Sequence, residues 1–155
     1  PIFEHERVRA ALAHLEVRFV HNPDHAQGLS TSLAAGLGAV PEDADAALVC
    51  LGDMPKITSG DVNGLIAVFD PLEGRAIYVP TYAGKRGNPV LWGARYLAEM
   101  QDLRGDVGAR HLIGEYAEEV CEVAMDDDAV EPLCVHVDPV KAKQILLNLL
   151  SKALD

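Results

Sequence analysis

Apolar residues along this chain fall into short runs and helical stripes that alternate over most of its length. Residues 5–14 repeat their apolar positions at helical spacing and predict a helix. Residues 17–20, VRFV, are β-branched and aromatic, which favours a strand. Residues 47–51, ALVCL, form an unbroken apolar run, as expected for a strand that is covered on both faces.

The same alternation continues through the rest of the chain. We predict further helices at 32–40, 59–69, 94–102, 108–116 and 139–153, and further strands at 76–80, 90–92, 120–125 and 133–137. Ser59 is the predicted N-cap of one helix, and residues 81–89 read as a glycine-rich loop followed by a short strand. The alternation indicates a three-layer α/β/α domain with a mostly parallel sheet. We assign residues 1–134 to this domain, and residues 135–155 to a strand end and an amphipathic helix.

Composition and charge narrow the classes of partner. The chain has 155 residues, which suits one domain, and its formal net charge is −11. Such a chain is poorly suited to a nucleic-acid backbone or an anionic membrane, because both require a basic face. Its three cysteines form no Cys-x-x-Cys pair, and no apolar run reaches the length of a membrane span. These features predict a cytoplasmic protein without a nucleic-acid or membrane partner.

An acid follows the apolar run at residues 47–51. Ligands of open α/β sheets bind beyond the carboxyl ends of the strands, so the Asp53 carboxylate is placed to hold Mg²⁺. Gly52 lets the backbone approach a ligand closely, and Pro55 ends the strand. The alternative is that Asp53 only caps the following turn, since strand-end acids occur in many unrelated enzymes.

Three further polar stretches fall at predicted strand-to-helix edges. Residues 22–33, NPDHAQGLSTSL, place a glycine and three hydroxyl residues at a helix N-terminus, which favours anions. Residues 84–92 combine two basic side chains with glycines, and residues 105–110 place an acid, two glycines and an arginine at a helix start. Each stretch alone also fits a turn, a solvated loop or a helix cap. Their common position beside Asp53 favours a ligand site.

In chain order, the motifs are NP-x4-G-x-S-x-SL, LGDMP, Y-x-G-x-RGNPVL and L-x-GD-x-GAR. Together they resemble the MobA-like nucleotidyltransferases, and most of all the molybdenum cofactor cytidylyltransferase (MocA-type) branch. The resemblance covers residues 6–130. Four motifs in the order of the family make it more specific than any one of them alone.

This resemblance implies a nucleotide-diphospho-sugar transferase-like fold and an Mg²⁺-dependent enzyme. Its substrates would be CTP and a molybdopterin-type cofactor, with CMP transferred to the cofactor phosphate and pyrophosphate released. Asp53 would be the catalytic residue and, with Asp138, a metal ligand. The other implied site residues are Asn22, Gly28, Ser30, Ser32 and Gly52 for the nucleotide, and Arg86, Gly87, Asn88, Pro89, Asp106 and Arg110 for the acceptor.

Two departures from the family suggest an alternative. The family opens with a strand and a glycine-rich signature loop that carries an arginine and a lysine, and nothing in residues 1–27 matches them. The acidic stretch expected after the last strand is replaced by VHVDP, in which His136 and Asp138 stand where two acids should be. The domain is therefore expected to be N-terminally incomplete. The alternative hypothesis is a domain without catalysis that self-associates as a homodimer, because a missing strand would expose a sheet edge.

The tail has a second resemblance. Residues 135–154 are similar to the N-box helix of sensor histidine kinases, although Lys152 stands where that family has its Mg²⁺-binding asparagine. The ATP-lid motifs and the phospho-accepting histidine region of that family are also missing from this sequence. The tail is therefore expected to form an amphipathic helix without kinase chemistry.

Overall fold

Apolar side chains on both faces of a β-sheet organise the fold. The computed structural model describes residues 2–52, 54–70, 72, 75–104, 109–125, 131–132 and 145–150. The helices are α1 (Ile2–Ala11), α2 (Leu29–Leu37), α3 (Ser59–Ala67), α4 (Ala94–Gln101) and α5 (Arg110–Glu115), with short 3₁₀ helices at His25–Gln27 and Ala117–Glu119. The strands are β1 (Ala46–Leu51), β2 (Ile77–Tyr82), β3 (Lys85–Asn88), β4 (Val90–Gly93), β5 (Val120–Ala124), β6 (Glu131–Pro132) and β7 (Ile145–Leu150). Among the described helices, none is long and apolar enough to cross a bilayer.

The two faces of the sheet are covered by different helices. On one face, Ile77 and Trp92 are buried against α2, α4 and α5, which contribute side chains such as Leu37. On the other face, Tyr78 is buried with Leu65 of α3. Neighbouring residues of a strand point to opposite faces, so each buried strand needs apolar residues at both positions. The predicted three-layer α/β class is therefore confirmed.

Strand β2 lies at the centre of the sheet. One edge of β2 pairs in parallel with β5, and its other edge pairs antiparallel with β3 and then with β4. Strand β4 pairs antiparallel with β1, and the far edge of β1 pairs antiparallel with β7. The sheet is thus mixed, with β2–β5 as the one parallel pairing between described strands. The prediction of a mostly parallel sheet is corrected in this respect.

A tight turn accounts for the antiparallel pairings. Tyr82 pairs with Lys85, so Ala83 and Gly84 form a two-residue turn, and their φ angles are 49° and 75°. Turns with two positive φ angles match the twist of a hairpin. The chain therefore returns along β2 as β3 and β4, whereas residues 81–89 were predicted as a loop. Strands β1 and β2 still run in the same direction, because both are antiparallel to β4.

Two predicted elements differ from the structure. Residues 17–20 pair with no strand among the described residues. Residues 145–150, predicted as part of a helix similar to an N-box, instead form β7 beside β1. A short apolar run shows too little periodicity to distinguish a strand from a buried helix. The backbone N–H and C=O groups along the free edge of β1 need hydrogen-bond partners, and a strand supplies them. The strand predicted at 133–137 and the first part of the helix, 139–144, lie outside the described residues.

Gly93 lies where β4 approaches the residue before β2. A Cβ built on Gly93 would lie 3.0 Å from the Cβ of Ala76 and 3.2 Å from its carbonyl oxygen. That oxygen already accepts the N–H of Gly93 at 2.7 Å, so the two backbones cannot easily separate. We expect Gly93→Ala to lower the free energy of unfolding by about 1–3 kcal/mol in urea denaturation, because the packed backbone must shift.

Gly64 in α3 is the matched control, since nothing lies within 4 Å of a Cβ built there. Gly64→Ala should raise the free energy of unfolding by about 0.5–1 kcal/mol, because alanine is the better helix former. A Gly93→Ala protein as stable as the wild type would contradict the close approach of β4 to Ala76.

Candidate functional site

The candidate site lies where the sheet divides at its carboxyl edge. Strand β4 pairs with β1 from Gly93 up to the pair of Val90 with Val49. Pro89 has no N–H to extend this ladder, and β3 pairs with β6 through Asn88 instead. At this edge, the end of β1 pairs with β7, whereas β3 pairs with β2 and β6. Ligands of α/β sheets bind where neighbouring strands separate beyond their carboxyl ends.

The order of the elements assigns the first turn of α2 to the same edge. Residues 38–45 join the end of α2 to the start of β1, and a helix that packs beside the strand it leads into runs antiparallel to it, so we expect the N-terminus of α2 at the carboxyl end of β1. Gly28 is the N-cap, with a φ of 120° that favours glycine, and no side chain among the described residues caps the helix. Amides of an uncapped first turn attract anions and other hydrogen-bond acceptors.

Ser30 adds a buried hydroxyl to this first turn. Its side chain is 1% exposed, and its Oγ has no hydrogen-bond partner among the described residues. A buried hydroxyl without a partner is costly, so a ligand or water that bonds to Ser30 would stabilise the folded protein. The turn therefore combines a buried hydroxyl with the backbone amides of a helix start, of which the Thr31 amide already donates to the Gly28 carbonyl at 3.3 Å.

Side-chain hydrogen bonds hold the loop that precedes α2. Asn22 Nδ2 donates to Thr31 Oγ1 and to Ser32 Oγ, both at 2.9 Å. Asn22 Oδ1 accepts the N–H of Asp24 at 2.9 Å, and Thr31 Oγ1 donates to the carbonyl of Gly28 at 2.8 Å. The structure thus brings together Asn22, Gly28 and Ser32, which the sequence assigned to the nucleotide. Asp24 and Thr31 were not predicted, although their place in the NPDHAQGLSTS motif is a signal that they take part.

Arg86 reaches across β2 to β5. Its Nε donates to Glu122 Oε1 at 2.6 Å, and the two side chains are 40% and 52% exposed. Arg86 lies opposite Thr81 and Glu122 opposite Val79, which places the ion pair on the face of the sheet that carries α2. An exposed ion pair contributes only about 0–1 kcal/mol, so an anionic ligand can replace Glu122 at little cost. Glu122 was not predicted, because nothing in the sequence pairs it with Arg86.

The remaining predicted residues divide into three groups. Gly87 and Pro89 are buried, and Asn88 is half-buried, so this segment shapes the site more than it presents polar side chains. Gly52 is exposed directly after β1, and Arg110 is exposed at the start of α5. The three predicted acids, Asp53, Asp106 and Asp138, lie outside the described residues.

Among the described side chains, no three His, Cys, Asp or Glu residues lie close enough together to hold a metal ion. The residues on either side of Asp53 are described, with Gly52 exposed and Met54 buried at 6% exposure. A magnesium site at this edge therefore depends on the acids outside the described ranges.

Cys50 lies near the end of β1 but is not a nucleophile. Burial raises the pKa of its thiol to about 11, so the thiol stays protonated at neutral pH. The other described polar groups of the site are amides, hydroxyls, the Arg86 guanidinium and the carboxylates of Asp24 and Glu122. Groups of this kind bind and orient phosphates and heterocycles, and covalent chemistry needs a stronger nucleophile.

The opposite edge of the sheet has different chemistry. A cavity of about 320 Å³ lies there, lined by residues 42–45, by Phe69 and by residues 93–95. The carboxylates of Glu42, Asp43 and Asp45 line this cavity, and their negative charge disfavours a triphosphate. Nearby, the Tyr96 hydroxyl donates to Glu119, and burial together with this bond raises the pKa of Tyr96 to about 12. We therefore place the candidate site at the carboxyl edge.

A sequence comparison with known families covers most of this site. The model of the MobA-like NTP transferase domain matches residues 2–120. This chain belongs to that family. The matched residues of the MobA-like domain include α2, β1 and the hairpin of β2 and β3, and the family is one of nucleotidyltransferases. Glu122 and β7 lie beyond the matched range, and a search of curated proteins finds no match.

A capping box ends the segment that follows Asp53. Asp61 Oδ2 accepts the N–H of Thr58 at 2.8 Å, and Thr58 Oγ1 accepts the N–H of Asp61 at 3.3 Å. Ser59, which was predicted to cap α3, is instead its first residue. The prediction was wrong by one position, because Thr58 has a better partner three residues later.

We expect Thr58→Ala to lower the free energy of unfolding by about 1 kcal/mol, because α3 would lose its cap. Ser59→Ala is the control and should change it by less than about 0.5 kcal/mol. Urea denaturation of both variants measures the difference. Equal effects of the two substitutions would contradict the capping box.

Proposed function

We propose that this MobA-like domain transfers CMP from CTP to the phosphate of a molybdopterin-type cofactor, with Mg²⁺ and with release of pyrophosphate. One observation carries the proposal. In the first turn of α2, the buried Ser30 hydroxyl has no partner among the described residues, and the order of α2 and β1 assigns this turn to the edge where β1 ends before Asp53. A nucleotide fits this arrangement, because its base offers acceptors to the amides and to the hydroxyl.

The reaction would be an in-line displacement. An oxygen of the acceptor phosphate attacks the α-phosphorus of CTP while the bond to the β-phosphate breaks, and pyrophosphate leaves. The described residues would contribute position and charge. Ser30 and the amides of α2 would hold the base, and Arg86 and Arg110 would hold the acceptor phosphate. The buried segment Gly87–Pro89 would limit where the acceptor can lie.

Mg²⁺ is part of the proposal because a chain with a net charge of −11 must bind a polyanion. Carboxylate oxygens are the protein ligands that Mg²⁺ prefers, and Asp53 follows the strand end where such a ligand is needed. Asp138 would be a second ligand. The ion would neutralise charge on the triphosphate. CTP is proposed because the four motifs taken together resemble the cytidylyltransferase branch most, and the comparison with GTP below tests the choice of base. A cytoplasmic location is proposed because the sequence has no Cys-x-x-Cys pair and the described cysteines, Cys50 and Cys121, are free.

Thermal unfolding with and without CTP and Mg²⁺ tests this function. CTP at about 100 times its Kd should stabilise the domain by about 2.7 kcal/mol, and only with Mg²⁺ present. Asp53→Asn should keep the fold and lose both the Mg²⁺-dependent shift and turnover. GTP is the control nucleotide. An unchanged melting temperature with both nucleotides would refute the nucleotide site, and turnover retained in Asp53→Asn would refute the metal assignment.

A second candidate is a domain that self-associates as a homodimer without catalysis. It is favoured by the segment between α1 and the loop at Asn22, where Leu15, Val17 and Val20 are between 39% and 48% exposed. This segment has no strand partner among the described residues, and apolar chain of this kind associates readily.

Light scattering tests the second candidate. The wild type should elute with the mass of a dimer, and Val17→Lys with Val20→Lys should elute as a monomer, because the charges oppose burial of the segment. Arg7→Lys on exposed α1 is a control that should remain a dimer. A wild type that is monomeric at every concentration would exclude the homodimer.

A further inference from the structure

The Asn22 side chain has both of its hydrogens engaged within its own loop. The N–H of Asp24 can only donate, so the Asn22 atom that it contacts must be the oxygen Oδ1. The two bonds to the hydroxyls of Thr31 and Ser32 therefore belong to the nitrogen Nδ2. A carboxamide has two N–H donors, and both are in use. Asn22 has no hydrogen left to donate to a nucleotide.

These bonds connect Asn22 to the N-cap of α2. Thr31 Oγ1 accepts from Asn22 and donates to the carbonyl of Gly28 at 2.8 Å, with the carbonyl of Asp24 as a second acceptor at 3.1 Å. Gly28, the N-cap of α2, has a φ of 120° and no side chain that could cap the first turn. The path from Asn22 through Thr31 to Gly28 therefore holds the backbone that presents the α2 amides.

We propose that Asn22 is a positioning residue for nucleotide binding, acting through the Thr31 and Ser32 hydroxyls. The inference rests on the proposed nucleotide site and divides the roles within it. Asn22 donates to the hydroxyls of Thr31 and Ser32 and so holds the loop against α2. Ser30, which is buried and has no partner among the described residues, makes the contact with the ligand.

A double-mutant cycle tests this division of roles. Kd for CTP with Mg²⁺ is measured by calorimetry for the wild type, Asn22→Ala, Thr31→Ala and the double variant. Asn22→Ala should weaken binding about fivefold to tenfold, the loss expected for about one hydrogen bond. The double variant should bind about as well as Thr31→Ala, because Asn22 acts on Gly28 through the Thr31 hydroxyl.

Fully additive losses in the cycle would overturn the proposal. They would mean that Asn22 affects binding independently of Thr31, for example by a contact with the nucleotide through the remaining lone pair of its oxygen. Far-UV circular dichroism of each variant confirms that the fold is kept. A wild type that binds neither CTP nor GTP would overturn the proposed function itself, and the positioning role with it, which is a different result from additive losses.

Hydrogen exchange of the nucleotide-free protein tests the loop separately. Asn22→Ala should speed exchange of the Asp24 and Thr31 amides about tenfold, because their environment loses its bonds. Gln27→Ala is the matched control. Its Nε2 donates to the Asp24 carboxylate at 2.7 Å in the same loop, and among the described residues its side chain makes no bond to α2, so exchange at Thr31 should not change. Unaltered exchange in Asn22→Ala would overturn the proposal.

Discussion

The pairing of β4 between β1 and β2 is the constraint on which the rest of this structure depends. It sets β1 and β2 in the same direction, and so places the carboxyl ends of both strands at one edge. It also buries Leu91 on the face of α3 and Trp92 on the face of α4, so both helical layers rest on one short strand. Pro89 ends this pairing on the side of β1, and the site begins where it ends. The pairing of β4 therefore determines both the layers of the fold and the position of the candidate site.

Most helices and buried strands could be predicted from the sequence, because their signals are local. Residues 47–51 and 76–80 are apolar on both faces, and they form β1 and β2 within two residues of the expected bounds. The hairpin after β2 was missed, because alanine rarely adopts a positive φ and Ala83 therefore gave no sign of the turn. The strand at Ile145–Leu150 was missed for a different reason. Its partner is almost a hundred positions away in the sequence, and no local pattern records a distant sheet edge.

In the candidate site, too, the sequence predicted which residues take part but not which groups they contact. Asn22, Ser30 and Arg86 were assigned from motifs, and the structure describes all three. Their individual roles could not be predicted. The sequence gives the residue type but not whether its side chain is bonded within the protein or is available to a ligand. In the structure, Ser30 is distinguished from the neighbouring hydroxyl residues by its burial. Arg86 is distinguished by its ion pair with Glu122, which reaches across β2 to β5. Asp53, Asp106 and Asp138 stay predictions, since they lie outside the described residues.

Electrostatics explains why such a site would use neutral donors. With a net charge of −11, the protein as a whole repels a triphosphate, and that repulsion is screened beyond roughly 8 Å at physiological ionic strength. Within that distance the backbone amides of α2 and the Ser30 hydroxyl attract acceptors without adding a charge that Glu122 or another acid can neutralise. Arg86 already shares its charge with Glu122, so its attraction for a phosphate is partly offset before any ligand arrives. For the proposed nucleotide site, we therefore expect the conformation of the loop at Asn22, which holds the start of α2, to affect binding more than the charge of Arg86 does.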